Sequence, residues 1–181
     1  MARALLLIDI QNDYFPGGAV PLHEMEAAAT QAARLLKHFR ARGEPVIHVQ
    51  HLSVRPGANF FIPGTPGAAH HAMVTPIGEE PVIQKNFPNA FRASTLAEML
   101  AGHEVKELVI VGAMSHMCID ATTRAAFDAG YTCSVASDAC TTRALQFNGE
   151  EIAAPAVHAA FMAALSSPYA RVDSTAALLG D

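Results

Sequence analysis

Charge is scarce in this chain of 181 residues. Asp, Glu, Lys and Arg together make up 16% of it, and the formal net charge is −5. Without a basic balance there is no electrostatic footprint for a nucleic-acid backbone, so that partner class is excluded. Long apolar runs are missing too: no stretch approaches the ~20 residues that a membrane span needs. The opening Met1-Ala2-Arg3, followed by the apolar run Ala4 to Ile8, is too short for a signal peptide and lacks its small-residue cleavage site. Cysteine is rare, and its three copies show no disulfide spacing. These absences lead us to expect a reducing cytoplasm and at least one thiol with a purpose other than bridging. Internal repeats and low-complexity tracts are also lacking.

What the chain has in quantity is apolar surface. Hydrophobic residues reach 51% and the mean hydropathy is +0.21, which excludes a disordered chain. A single domain over residues 1–181 with a thick core is expected. The Ala-rich helices look too apolar for water, so a homo-oligomer, dimer or larger, is expected as well.

Strands and helices alternate. Apolar runs at Ala4 to Ile8, Pro45 to Gln50, Pro81 to Gln84, Glu107 to Gly112, Tyr131 to Ala136 and Arg171 to Asp173 read as strands. Helices are predicted over Glu24 to Arg42, Thr95 to Ala101, Cys118 to Ala129 and Glu150 to Leu165. The stretch Leu52 to Thr75, rich in Gly and Pro, reads as one long loop of the kind that lines or covers a site. The pattern predicts a doubly wound α/β fold, a Rossmann-like three-layer α/β/α domain. Its mainly parallel sheet has six strands, with helices on both faces. Ligands bind beyond the carboxyl ends of such strands.

Three polar residues fall at those ends. Asp9 ends the first strand, Lys85 follows the strand after the long loop, and Cys118 opens the helix after the central strand. A thiol is a weak nucleophile until it is deprotonated. A helix N-terminus and a nearby ammonium both favour the thiolate. A carboxylate can take the thiol proton and return it to a leaving group. Backbone N–H groups of the turn Gly112 to Met117 are placed to receive an oxyanion. Cys133 and Cys140 read as core thiols.

These residues resemble the isochorismatase-like cysteine hydrolases, a superfamily that includes nicotinamidases, N-carbamoylsarcosine amidohydrolase and ureidoacrylate hydrolases. The matching segments are Leu6 to Phe15, Lys85 with Asn86-Phe87 and Phe91, Val109 to Thr122, and Ser137 to Cys140. They span essentially the whole chain. The resemblance implies a triad of Cys118, Asp9 and Lys85. It also implies a cis peptide at Ala113–Met114, and an oxyanion hole from the N–H groups of Met114 and Cys118. Nicotinamidases of this superfamily carry a metal bound by an Asp-x-His motif after the second strand. Here that region reads His48-Val49-Gln50-His51, without the aspartate, and Gln50 is a poor ligand. A weak site from His48, His51 and His71 is the only metal alternative, and neither metal nor cofactor is expected.

The expected partner is a small-molecule substrate. Its pocket is expected to involve Gln11, Phe15, Gln50, Phe60, Phe87, Phe91 and His116, since such pockets have apolar and aromatic walls. The expected activity is hydrolysis of a C–N bond in a small amide, carbamoyl or ureido compound through a thioester. The alternatives are isochorismatase-type hydrolysis of a vinyl ether and a non-catalytic, thiol-based binding or redox-sensing protein. Phe147-Asn148-Gly149 is a candidate segment for reaching a neighbouring subunit.

Overall fold

A computed structural model describes residues 2–180. Within strand β1 (Ala2–Ile8) the run Ala4 to Ile8 is apolar without a break because both of its faces are covered. Leu6 and Ile8 enter one hydrophobic cluster, and Leu5 and Leu7 the other. Helix α1 (Met25–Arg42) turns Ala29, Ala32, Leu35, Leu36 and Phe39 onto the second cluster. Gly43 closes it in the left-handed conformation, with its N–H on the carbonyls of Phe39 and Arg40.

The chain then lays down β2 (Val46–His51), β3 (Val82–Lys85), α2 (Leu96–Gly102), β4 (Val105–Ala113), α3 (Asp120–Asp128) and β5 (Thr132–Thr141). A small hairpin, β6 (Leu145–Phe147) and β7 (Glu150–Ile152), leads to α4 (Ala154–Leu165), β8 (Arg171–Asp173) and α5 (Thr175–Leu179). The main sheet has six strands in the order β3-β2-β1-β4-β5-β8, and every pair in it is parallel. Helices α2, α3 and α4 pack on one face, while α1 and α5 pack on the other. From β1 the chain steps outward to β2 and β3, then crosses back to β4. This reversal leaves a crevice at the carboxyl ends of β1 and β4.

Besides adding the short helix α5, the structure differs from the expected elements in three places. Glu150 does not start a helix, because Glu150–Ile152 is the return strand of the hairpin. Asn148 and Gly149 both have positive φ (51° and 82°), the signature of the tight Asn-Gly turn, and the helix waits for Pro155 in its first turn. Strand β5 runs on to Thr141, past the expected end at Ala136. It pairs Val135 with Ile110 and then Cys140 with Gly112, so an irregularity lies between. Thirdly, Cys118 lies not in an α-helix but in a single π-helical turn, Ser115–Ile119, that runs directly into α3.

That turn depends on Gly112. Its φ is 122°, and a Cβ built there would lie 2.0 Å from the Ile8 carbonyl oxygen. Only glycine lets β4 pass this close to the end of β1.

The stretch after β2 is not a free lid. Gln11 and Gln50 each donate to the Ala68 carbonyl at 2.8 Å, and Asn12 donates to the Pro66 carbonyl at 2.8 Å. The Phe61 N–H donates to Asp13 Oδ2 at 2.6 Å, and the Phe61 side chain is fully buried.

Candidate active site

Asp9 follows β1 directly and has φ 54°, so the chain bends sharply as the strand ends. Its N–H still donates to the Val49 carbonyl on β2 at 3.1 Å. Lys85 is the last residue of β3, two strands away. Cys118 comes from the turn after β4, which neighbours β1 on its other side. The three side chains meet in the crevice at 0%, 1% and 3% exposure, so they act on one another without solvent screening. Lys85 Nζ lies 2.7 Å from Asp9 Oδ2 and 3.3 Å from Cys118 Sγ. It also lies 3.0 Å from His51 Nδ1. Asp9 Oδ1 is buried and has no hydrogen-bond partner among the described residues.

Burial alone would lower the Lys85 ammonium, but the adjacent Asp9 and Cys118 hold it above its ordinary value. Burial and the Asp9 charge push the Cys118 thiol well up, and Lys85 offsets this only in part. Lys85 favours the thiolate as the sequence suggests, and burial and the Asp9 charge act against it. Asp9 and Lys85 form a buried ion pair beside the thiol. Burial also raises the Cys133 and Cys140 thiols to about 12.

The peptide bond between Ala113 and Met114 is cis. The turn behind Cys118 is braced by Met114, whose carbonyl accepts from the N–H of Met117 at 3.0 Å and of Ile119 at 3.2 Å. Ser115 Oγ and His158 Nδ1 on α4 add a hydrogen bond of 2.8 Å.

Cys118 opens onto a cavity of about 270 Å³. Phe60, Phe87, Pro88, Met114, Met117, Tyr14 and Val54 give it a largely apolar wall, and Arg55, Asn86 and His51 supply polar groups. Phe87 is held by the Arg92 guanidinium, 3.8 Å above its ring.

Five of the residues assigned to the pocket from sequence lie elsewhere. Gln11 is fully buried and clamps the His51 backbone, donating to its carbonyl at 2.9 Å and accepting from its N–H at 2.8 Å. Phe15 stacks on His71, 3.6 Å between ring centres. Gln50 is taken up by Ala68 and Gln84. Phe91 packs on Tyr131, and His116 lies against Thr142 and Phe161. Tyr14, Val54, Arg55, Asn86, Pro88 and Met117 line the cavity without having been assigned to the pocket from sequence. Asn86 sits beside Lys85, a neighbour relation visible in the sequence, but nothing local marks the others.

The metal alternative does not fit. His48 is buried, with Nε2 2.9 Å from Glu80, and His71 is the ring stacked on Phe15. Among the described residues, one set of three possible ligand atoms gathers within 4.8 Å, on Asp9, His51 and Cys118. Lys85 Nζ is bonded to all three residues and takes the place a cation would need.

Glu80 has its own role. Arg40 Nε and Nη2 each donate to it at 2.7 Å, which ties the segment before β3 to α1. Burial alone would raise the Glu80 carboxyl, but Arg40, the Ile77 N–H and His48 hold it at about 2 against an ordinary 4.5. A depressed carboxyl contributes stability that is complete above its unfolded pKa and is lost as pH falls through the folded one. Glu80→Gln is therefore expected to cost about 2 kcal/mol at pH 7, after a discount for partial exposure. It should also flatten the loss of stability between pH 4.5 and 2. Urea unfolding at pH 7, 4 and 2.5 tests this, and an unchanged pH slope in the variant rejects it.

A family model, Isochorismatase domain, matches residues 3–176. The chain is 51% identical over 179 residues to the uncharacterized isochorismatase family protein YddQ of Bacillus subtilis, covering 99% of each chain. It is 30% identical over 175 residues to a nicotinamidase of Escherichia coli, covering 76% of this chain and 82% of the enzyme. Its fold superposes on a crystal structure from Oleispira antarctica, provisionally named an isochorismatase hydrolase. The TM-score is 0.95 at 51% identity, covering 99% of this chain and 97% of that one.

Proposed function

The chain belongs to the isochorismatase family of hydrolases, and we propose that it is a cysteine hydrolase cleaving a C–N bond of a small amide, carbamoyl or ureido compound. One observation carries this reading: Lys85 Nζ joins Asp9 at 2.7 Å and Cys118 at 3.3 Å in a buried cluster that opens on a small apolar cavity. The nicotinamidase relative places amide hydrolysis in the family.

In the proposed cycle Asp9 takes the thiol proton as Cys118 Sγ bonds to the substrate carbonyl carbon. The carbonyl oxygen gains the charge, and the N–H groups of Met114 and Cys118 hold it. Asp9 passes its proton to the departing nitrogen, the C–N bond breaks, and a thioester remains. Water then attacks the thioester, giving one proton to Asp9 and releasing the acid. Asp9 returns that proton to sulfur. Lys85 keeps its positive charge throughout, against whichever of Asp9 or Cys118 is negative.

Intact-mass spectrometry after incubation with a panel of small amides and ureido acids tests the reading. The expected result is an acyl adduct confined to Cys118, acid product for one amide class, and neither in Cys118→Ala. Turnover retained by Cys118→Ala would overturn it.

We further propose that a second copy covers α4 and the hairpin. Phe147 is 68% exposed and Ile152 40%, and Ala156, Ala159, Ala160 and Ala163 of α4 face outward. Light scattering is expected to give a mass of at least a dimer, reduced by Phe147→Lys. A monomer at every concentration rejects this.

A further inference from the structure

The proposed cycle gives His51 no part, yet its ring is the fourth polar group of the cluster. Its Nδ1 accepts from Lys85 Nζ at 3.0 Å, so the ring proton belongs on Nε2. Nε2 has no hydrogen-bond partner among the described residues. Unlike His48 Nδ1 and His70 Nε2, it is not sealed from solvent, and the ring borders the cavity beside Cys118. The position is built: Gln11 clamps the His51 backbone from both sides, and Phe61 backs the ring at 6.0 Å.

We propose that His51 is a catalytic residue of the second half-reaction, a fixed neutral donor whose Nε2–H holds the water that hydrolyses the thioester. The inference rests on the cysteine-hydrolase reading. Water has two lone pairs and two protons to place. One lone pair forms the bond to the thioester carbon, and the other accepts from His51 Nε2–H. One proton goes to Asp9, the C–S bond breaks, and Asp9 returns that proton to sulfur. The product is the free acid and the thiol, with His51 unchanged.

A donor of this kind must not titrate during the cycle. Burial and the neighbouring Lys85 charge lower the ring to about 4, against the weaker opposing pull of Asp9. Arg55, the other cation at the cavity, acts in the same direction. The imidazole therefore stays neutral across the physiological range.

The test uses p-nitrophenyl acetate, whose attack by Cys118 releases p-nitrophenolate in a burst and leaves an acetyl thioester. His51→Asn keeps an oxygen near Nδ1 to accept from Lys85 but loses the distal N–H. His51→Gln can place an N–H near the Nε2 position. In His51→Asn the burst rate is expected to stay within about threefold of wild type, while the steady-state rate falls about 10²-fold. Acetyl-enzyme should accumulate at Cys118 by intact mass, and His51→Gln should restore most of the steady-state rate. The rate profile between pH 5.5 and 7.5 should keep its shape in His51→Asn. If burst and steady state fall together with no accumulated acetyl-enzyme, the ring only positions Lys85 and the inference is overturned. If Cys118→Ala releases p-nitrophenolate as fast as wild type, the cysteine-hydrolase reading itself fails, and this inference with it.

Discussion

Asp9→Asn is expected to lower turnover about 10⁴-fold while making the Cys118 thiol easier to alkylate. The two effects come from one charge. Asp9 is the proton carrier in both halves of the proposed cycle, and an amide can neither take the thiol proton nor protonate a departing amine. Yet the same carboxylate is one of the groups that push the thiol up. Once it is neutral, the Lys85 ammonium loses its partner at 2.7 Å and keeps Cys118 Sγ at 3.3 Å as the group it can stabilise as an anion. The fold should survive, because asparagine accepts the left-handed backbone at this position as readily as aspartate. The measurement is the rate of alkylation by iodoacetamide against pH, beside turnover, for wild type and variant. Slower or unchanged alkylation at neutral pH would mean that the Asp9 charge does not hold the thiol neutral.

The fold and the meeting of Asp9, Lys85 and Cys118 were legible because their signals are local. Leu5 to Ile8 and Leu108 to Val111 are continuous apolar runs, which only a strand covered on both faces requires. In a parallel sheet the residues after such strands share one edge, so Asp9, Lys85 and Cys118 could be grouped before any distance was known. The pocket was not legible in the same way. Gln11 and Phe87 both stand near strand ends, but one turns inward to clamp His51 and the other lines the cavity. That difference is set by the path of residues 52–75, which no periodicity encodes.

His51 shows the same limit, since its sequence context resembles half of a metal motif. Its role depends on Lys85 reaching across from β3 to bond its Nδ1. The balance of forces on the Cys118 thiol was only partly legible for a related reason. Lys85 and a helix start were counted from sequence, whereas burial and the Asp9 charge outweigh them only once the cluster is closed. The Asn-Gly hairpin, by contrast, was readable and was passed over for the helical residues that follow it.

Lys85→Met is expected to cost about 3–5 kcal/mol of stability, the largest single effect on folding in this site. Methionine fills nearly the space of the lysine stem, so the loss is electrostatic rather than steric. Lys85 is 1% exposed and supplies the hydrogen bonds that Asp9 Oδ2 and His51 Nδ1 receive. Without it a carboxylate stands fully buried with no counter-charge, and Oδ2 loses its ammonium donor. If the cost is that stranded charge, removing the charge must repair it. Asp9→Asn in the Lys85→Met background should therefore recover more than half of the lost stability, although it cannot recover turnover. Urea unfolding of the wild type, both single variants and the double variant measures the coupling. Simple additivity of the two losses would show that the pair does not act as one electrostatic unit. The argument that Lys85 stays charged against Asp9 and Cys118 in turn would then lose its basis.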